Sequence, residues 1–337
     1  MSSLPTWGDL FGYRIFFWSH EQNEPVHVHV CKGAPSPNAT KIWIPADGNP
    51  VVAHNHSNIP AKDLNRLLKG ISANKESIVM AGDFLQKEAE KYRSVIIPVD
   101  SEHSAIYSLI RAYGRDAVER LIITASGGPF RTWTRERIQG ATLQDALKHP
   151  TWTMGAKITI DSASLANKAL EVIEAVHLFD MDADRITVAV HPSSIVHSLV
   201  QLTGGEVYAQ LSPPDMRNPI FAALSYPEEP SPYLAPLDFT KPLDLHFEPP
   251  RMEDFPMLSL GFTAARKKAG YPIAFNAANE QAVAAFLRNQ IRFVHLAEIT
   301  AQVMQEDWSA APKDITDVMH IDESARRRAD AVIKHLM

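Results

Sequence analysis

The chain has 337 residues, 45% of them hydrophobic and 21% charged, with a net charge of -6 at neutral pH. That length accommodates two or three domains with a buried core, and the acidic balance gives no sign of a nucleic-acid partner, which would need a basic surface. A single cysteine, Cys31, excludes an internal disulfide framework, and no run of about 18 apolar residues offers a membrane span. Met1 to Trp18 lacks a basic region ahead of an apolar stretch, so neither a signal nor a transit peptide is expected and the location expected is cytoplasmic.

Three regions differ in texture. From Met1 to Ser72 the runs Tyr13 to Trp18, Val26 to Cys31 and Lys41 to Ile44 predict strands, and Leu64, Leu67, Leu68 and Ile71 fall at helical spacing. This reads as a small β-meander followed by a helix. From about Ala73 to Pro249 strands and helices alternate. Ser94 to Asp100 predicts a buried strand running out into polar residues, Leu121 to Thr124 and Arg185 to Val190 predict two more, and Leu165 to Leu178 an amphipathic helix. Pro213 to Pro250 is proline-rich and reads as a linker. Beyond Phe255 the spacing is helical, as in Glu280 to Leu287. The fold class expected is α/β, with an α+β catalytic domain, a helical C-terminal domain and the small N-terminal β-rich domain. The boundaries expected are 1–72, 73–250 and 251–337.

Four stretches carry chemistry. In Asp100-Ser101-Glu102-His103 the residues i and i+2 of an extended segment point one way, so Asp100 and Glu102 present two carboxylates to one spot. A hard divalent cation such as Mg2+ or Mn2+ suits such a pair, although an ordinary solvated loop also carries one. Thr124-Ala125-Ser126-Gly127-Gly128-Pro129 has the composition of an anion nest, or of a tight turn after a strand. In Asp161 to Glu171, Asp161 or Ser162 is a good N-cap, and Asn167 and Glu171 are i and i+4 with Lys168 beside them. That helix can offer Ser162, Asn167 and Lys168 to a phosphate and Glu171 to a metal, or be an ordinary capped helix. His149 to Gly155, with Trp152 and Met154 between Pro150 and Gly155, suggests either a lid over a ligand or a core-anchoring loop. In the N-terminal region His27 and His29 share a strand face, with His20, His54 and His56 near in sequence. A polar face is favoured there over a transition-metal site.

Taken together, these strings resemble the 1-deoxy-D-xylulose 5-phosphate reductoisomerases from Asn74 to Met337. The resemblance rests on Ala73-Asn74-Lys75-Glu76-Ser77, Pro98 to His103, Ser126-Gly127-Gly128-Pro129-Phe130 and His149 to Gly155. It continues through Asp161 to Lys168, His191 to Ser198, Pro214-Asp215-Met216-Arg217 and Asn276-Ala277-Ala278-Asn279-Glu280, in that order. It implies an NADPH-dependent enzyme of isoprenoid precursor synthesis that isomerises and then reduces its substrate to 2-C-methyl-D-erythritol 4-phosphate. Asp100, Glu102 and Glu171 would ligate Mg2+ or Mn2+. Ser126, Ser162, Asn167 and Lys168 would hold the phosphate with His149. Ser101 and Lys75 would touch the substrate backbone, Lys75 also lying near the metal. Trp152 and Met154 would belong to the lid, and Met216 would pack near the nicotinamide. A homodimer through the catalytic domain is also implied.

Two features depart from that family. Its glycine-rich loop, which heads a Rossmann domain, has no counterpart after any strand here. What precedes Asn74 is similar instead to a small uncharacterised bacterial domain family, on Gly12 to Phe17, Glu24 to Val30 and Ala39 to Trp43. Smaller departures are Ala169, where the family has glycine, and Gly204, where it has aspartate. Beside the enzyme reading stand two others: a non-reducing protein that binds metal and sugar phosphate, and a partner-binding module whose function the N-terminal domain sets.

Overall fold

The computed structural model describes residues 8–10, 13–16, 27–32, 38–43, 51–60, 75–152, 154–227 and 236–337. The chain divides into two compact units. The first draws its described residues from 1–74, 153–155 and 215–234, the second from 75–152, 156–214 and 235–337.

In the first unit, strands β1 (Gly8–Leu10), β2 (Tyr13–Phe16), β3 (His27–Cys31), β4 (Thr40–Trp43) and β5 (Val51–His54) form an antiparallel meander in chain order. Its three expected strands are present, and β1 and β5 extend the sheet on either side. Thr40 is buried and satisfied by side chains after β5: its N–H donates to Ser57 Oγ at 2.7 Å and its hydroxyl to Asn55 Oδ1 at 2.7 Å. The helix expected around residues 61–71 lies outside the described residues, as do the side chains of His20, His27, His29 and His54. This unit also holds the short helix α7 (Arg217–Ser225), which the reading of residues 213–250 as a plain linker missed. Asp215, one residue before its N-cap Met216, accepts from the Arg217 backbone N–H at 2.9 Å.

The second unit begins with helix α1 (Lys75–Lys91). The stretch Ser94 to Val99 that follows is not a strand: among the described residues it joins no sheet, and Val95 is 56% exposed. β-Branched residues suit a strand, but Pro98 lacks an N–H to give a ladder. Asp100 then ends the stretch as the N-cap of helix α2 (Ser101–Tyr113).

Strand β6 (Val118–Ala125) is the centre of a mixed sheet, pairing in parallel with β7 (Ile186–Val190) and antiparallel with β8 (Val196–Leu202), which in turn pairs antiparallel with β9 (Val207–Leu211). The parallel pair needs a long crossover, and the chain supplies it with α3 (Arg135–Gln139), α4 (Leu143–Ala146), α5 (Ala156–Ser164) and α6 (Ala166–Leu178). Four further helices, α8 (Pro256–Lys267), α9 (Tyr271–Leu287), α10 (His295–Met304) and α11 (Ile315–Leu336), complete the unit. One continuous core runs from the sheet, through Leu121 and Ile123, into these helices, through Phe275, Phe286 and Ile299.

Two sequence expectations about the crossover are corrected. Asp161 and Ser162 do not cap a helix; both lie inside α5. The break comes three residues later, at Leu165, whose left-handed backbone (φ 61) separates α5 from α6. Nor is α6 amphipathic in the simple sense. Leu170, Ile173 and Val176 face the core as expected, but Lys168, Glu171 and Glu174 are buried as well. A helix buried nearly all round needs partners for its charged groups, and those partners define the site. Among the described residues no helix is long and apolar enough to cross a membrane.

Candidate active site

Three carboxylates converge from two helices. Asp100 accepts from the Glu102 backbone N–H at 3.2 Å, as an N-cap does, so this pair is aligned by a helix start rather than by a strand. Glu171, 1% exposed, enters from α6. Single oxygens of Asp100, Glu102 and Glu171 lie within 4.8 Å of one another. Three acids at that spacing repel unless a cation compensates them. Lys168, 5% exposed, supplies one charge: its Nζ donates to Glu102 Oε1 and to Glu171 Oε2, each at 2.7 Å. Burial disfavours its charged form, yet Glu102, Glu171 and Asp100 outweigh that and hold its pKa above the ordinary lysine value. One turn earlier on the same helix face, Asn167 donates to Glu171 Oε1 at 2.6 Å.

His103 braces this cluster from behind, a role the sequence reading did not single out. It is buried, and its Nε2 meets the Glu171 carbonyl at 3.0 Å, so that nitrogen carries the proton. Its Nδ1 lies 3.7 Å from Glu174 and 3.9 Å from Asp100. The signal was available as spacing: His103 is i+3 from Asp100, and Glu174 is i+3 from Glu171. His197, on β8, is held by Ser212 Oγ at 3.0 Å. Burial pushes its pKa down, against the opposing pull of Glu102 and Asp100.

A second group gathers around His149. Its Nε2 lies 3.0 Å from Ser126 Oγ, at the end of β6, and 3.1 Å from Ser162 Oγ, on α5. Its Nδ1 accepts the backbone N–H groups of Thr151 and Trp152 at 3.1 and 2.9 Å, so the proton of the neutral ring is placed on Nε2. Burial lowers its pKa to about 4. Gly128 adds a backbone N–H, 3.3 Å from Ser126 Oγ. Its positive φ of 66 and the nearness of Ser162 require glycine, since a Cβ there would stand 2.7 Å from the Ser162 carbonyl oxygen. Neutral donors gathered at a loop and a helix suit an anion.

The second unit thus brings together Asp100, Ser101, Glu102, Glu171, Lys168 and Asn167 in one group and Ser126, His149 and Ser162 in another. Ser101 donates to Glu102, and Trp152 joins the second group through its backbone. Asn167 and Lys168 direct their nitrogens at carboxylates. Met216 precedes α7 in the first unit, which also contains Met154. Lys75 opens α1, and its side chain lies outside the described residues.

Comparison with known proteins gives this geometry a context. Residues 96–179 match the 1-deoxy-D-xylulose 5-phosphate reductoisomerase C-terminal domain, and residues 211–328 match the DXP reductoisomerase C-terminal domain. Residues 12–81 match a domain of unknown function, DUF4160. The 1-deoxy-D-xylulose 5-phosphate reductoisomerase of Treponema pallidum (strain Nichols) is 57% identical over 261 residues, covering 77% of this chain and 69% of that protein. That of Treponema denticola is 56% identical, covering 77% and 68%. Among solved structures, the reductoisomerase from Zymomonas mobilis in complex with NADPH superposes with a TM-score of 0.72 at 41% identity, over 77% of this chain and 68% of that one. A DOX-P reductoisomerase in complex with NADPH, fosmidomycin and magnesium gives 0.71 at 41% identity, over 78% and 69%. Both comparisons thus cover about two thirds of each relative. On this identity and coverage, the chain belongs to the 1-deoxy-D-xylulose 5-phosphate reductoisomerase family.

Proposed function

We propose that the two groups of the second unit are the metal and phosphate subsites for 1-deoxy-D-xylulose 5-phosphate, and that the chain serves its conversion to 2-C-methyl-D-erythritol 4-phosphate. The observation that carries this reading is the convergence of Asp100, Glu102 and Glu171 from two helices within 4.8 Å. Three oxygen donors at that spacing fit a hard divalent cation. Bound there, Mg2+ or Mn2+ supplies Lewis-acid polarisation of the substrate's carbonyl and hydroxyl oxygens.

The protein's own groups do the rest of the positioning. His149 directs an Nε2–H, and Ser126 and Ser162 their hydroxyls, at the phosphate. Being neutral, His149 donates without adding a charge that would vary with pH. Lys168 and Asn167, whose nitrogens meet Glu102 and Glu171 in the structure, stand on the first turn of α6 between Ser162 and Glu171, and with a phosphate bound they would turn to complete its grip. Ser101 contacts the substrate backbone, and the family resemblance gives Lys75 the same role. Trp152 covers the ligand and keeps water out.

The nicotinamide half of the reaction is placed differently. No G-x-G-x-x-G loop occurs in the 337 residues, so the NADPH site is incomplete in this chain. Met216 is the one position assigned to it. This same observation favours a second reading, a protein that binds metal and sugar phosphate without reducing it. The division into 1–72, 73–250 and 251–337, a homodimer and a cytoplasmic location belong to the proposal as well.

The test is NADPH consumption with 1-deoxy-D-xylulose 5-phosphate and Mn2+, beside a Glu171→Gln variant and calorimetry of substrate binding. Turnover that disappears in the variant supports the reductoisomerase. Metal-dependent binding without turnover supports the second reading. Binding that ignores Mn2+ sinks both.

A further inference from the structure

Asp161 belongs to neither group, yet it immediately precedes Ser162 on α5. It is 2% exposed, and both its oxygens are engaged. Lys157 Nζ donates to Oδ2 at 2.9 Å from one turn earlier. Asn279 Nδ2 donates to Oδ1 at 2.8 Å, reaching across from α9. Asn279 is 0% exposed, and among the described residues its own Oδ1 has no hydrogen-bond partner. Burying an amide with half its capacity unmet is unfavourable, and an apolar side chain of the same size would avoid that cost. What the amide supplies in return is its hold on Asp161.

That hold has a direction. Gly128 closes on the Ser162 carbonyl from the loop after β6, so α5 is gripped there on one side and through Asp161 on another. The carboxylate group sits on α2 and α6, and α6 is separated from α5 by the left-handed break at Leu165. We infer that Asn279 is a positioning residue for the phosphate subsite: through Asp161 it sets α5 so that Ser162 Oγ meets His149 Nε2, tying the C-terminal helices to the anion grip while leaving the carboxylates alone. This rests on the reading of Ser126, His149 and Ser162 as the phosphate subsite.

The test measures two affinities on the full chain by calorimetry, for inorganic phosphate and for Mn2+. Asn279→Leu keeps the volume and removes the hold. It is expected to weaken phosphate about tenfold, the scale of one lost charge-assisted hydrogen bond, with Mn2+ affinity unchanged to within about twofold. Asn279→Asp sets two carboxylates together and is expected to weaken phosphate likewise. Combining it with Asp161→Asn restores a carboxylate–amide pair in the opposite sense and is expected to recover most of the loss. If Asn279→Leu does not fold, the Asn279→Asp and swapped variants decide alone. Wild-type phosphate affinity in the single variants, parallel loss of phosphate and Mn2+, or no recovery in the swap each overturns the inference. A wild-type chain that takes no phosphate removes the subsite reading, and this inference with it.

Discussion

His149 shows how backbone geometry sets a side chain's chemistry. Two N–H groups from its own loop occupy Nδ1, and burial holds the pKa at about 4 against an ordinary 6.5. Because the folded value is the lower, the unfolded chain takes up the proton first as the pH falls. The neutral ring's contribution to stability is therefore complete above about pH 6.5 and is lost as the pH drops towards 4. For binding of the sugar phosphate the same shift predicts a flat profile between about pH 8 and 7, falling only near the phosphate ester's own second pKa of about 6. A fall centred higher, as the ring titrates, would reject this account. Asp100 allows a different separation. Asparagine caps a helix about as well as aspartate, so Asp100→Asn should leave thermal unfolding almost unchanged. Mn2+ affinity should drop by at least about a hundredfold, since losing a ligand costs no less than losing an outer-shell partner that supports one. Equal damage to both would mean that Asp100 serves the helix alone.

The crossing of α6 and α8 carries a similar argument among elements. The family resemblance expects glycine at position 169, where this chain has Ala169. The structure sets Gly261 of α8 directly opposite: a Cβ on Gly261 would strike the Ala169 methyl and stand 2.8 Å from its Cα. Gly261→Ala should therefore destabilise the chain by about 1–3 kcal/mol through overpacking. Adding Ala169→Gly should recover part of that, less the roughly 0.5–1 kcal/mol that glycine costs inside a helix. A double-mutant cycle by chemical denaturation reads the coupling; additive effects would place the two helices apart. The elements themselves were unevenly legible. The helical spacing of Glu280 to Leu287, the second half of α9, was plain, whereas residues 94–100 looked like a strand because only their composition was visible. Strand β8 escaped notice because His197 and Ser198 are buried near its start, which blurs any alternation of polar and apolar residues, and β9 because none of its residues is buried.

In the whole molecule the acidic group is a folding-dependent site, since Asp100 and Glu171 come from separate helices and meet only in the native chain. A cation bound there should stabilise the fold by mass action, by about 2.7 kcal/mol at a hundred times its dissociation constant. Mn2+ should accordingly raise the melting temperature of the wild-type chain and leave Glu171→Gln unmoved; equal shifts in both would place the ion elsewhere. The sequence by itself determined the family, and it named in order the acids, serines, histidine and lysine that the structure gathers into two groups, because these are matters of residue identity and short spacing. Only the tertiary structure decided that Asp100 caps a helix, that α5 and α6 part at Leu165 and that Lys168 bridges two carboxylates. The same holds for the contact of Asn279 with Asp161 from a distant helix. Each of these depends on which surfaces meet after the core closes, and a local window of residues carries no record of that.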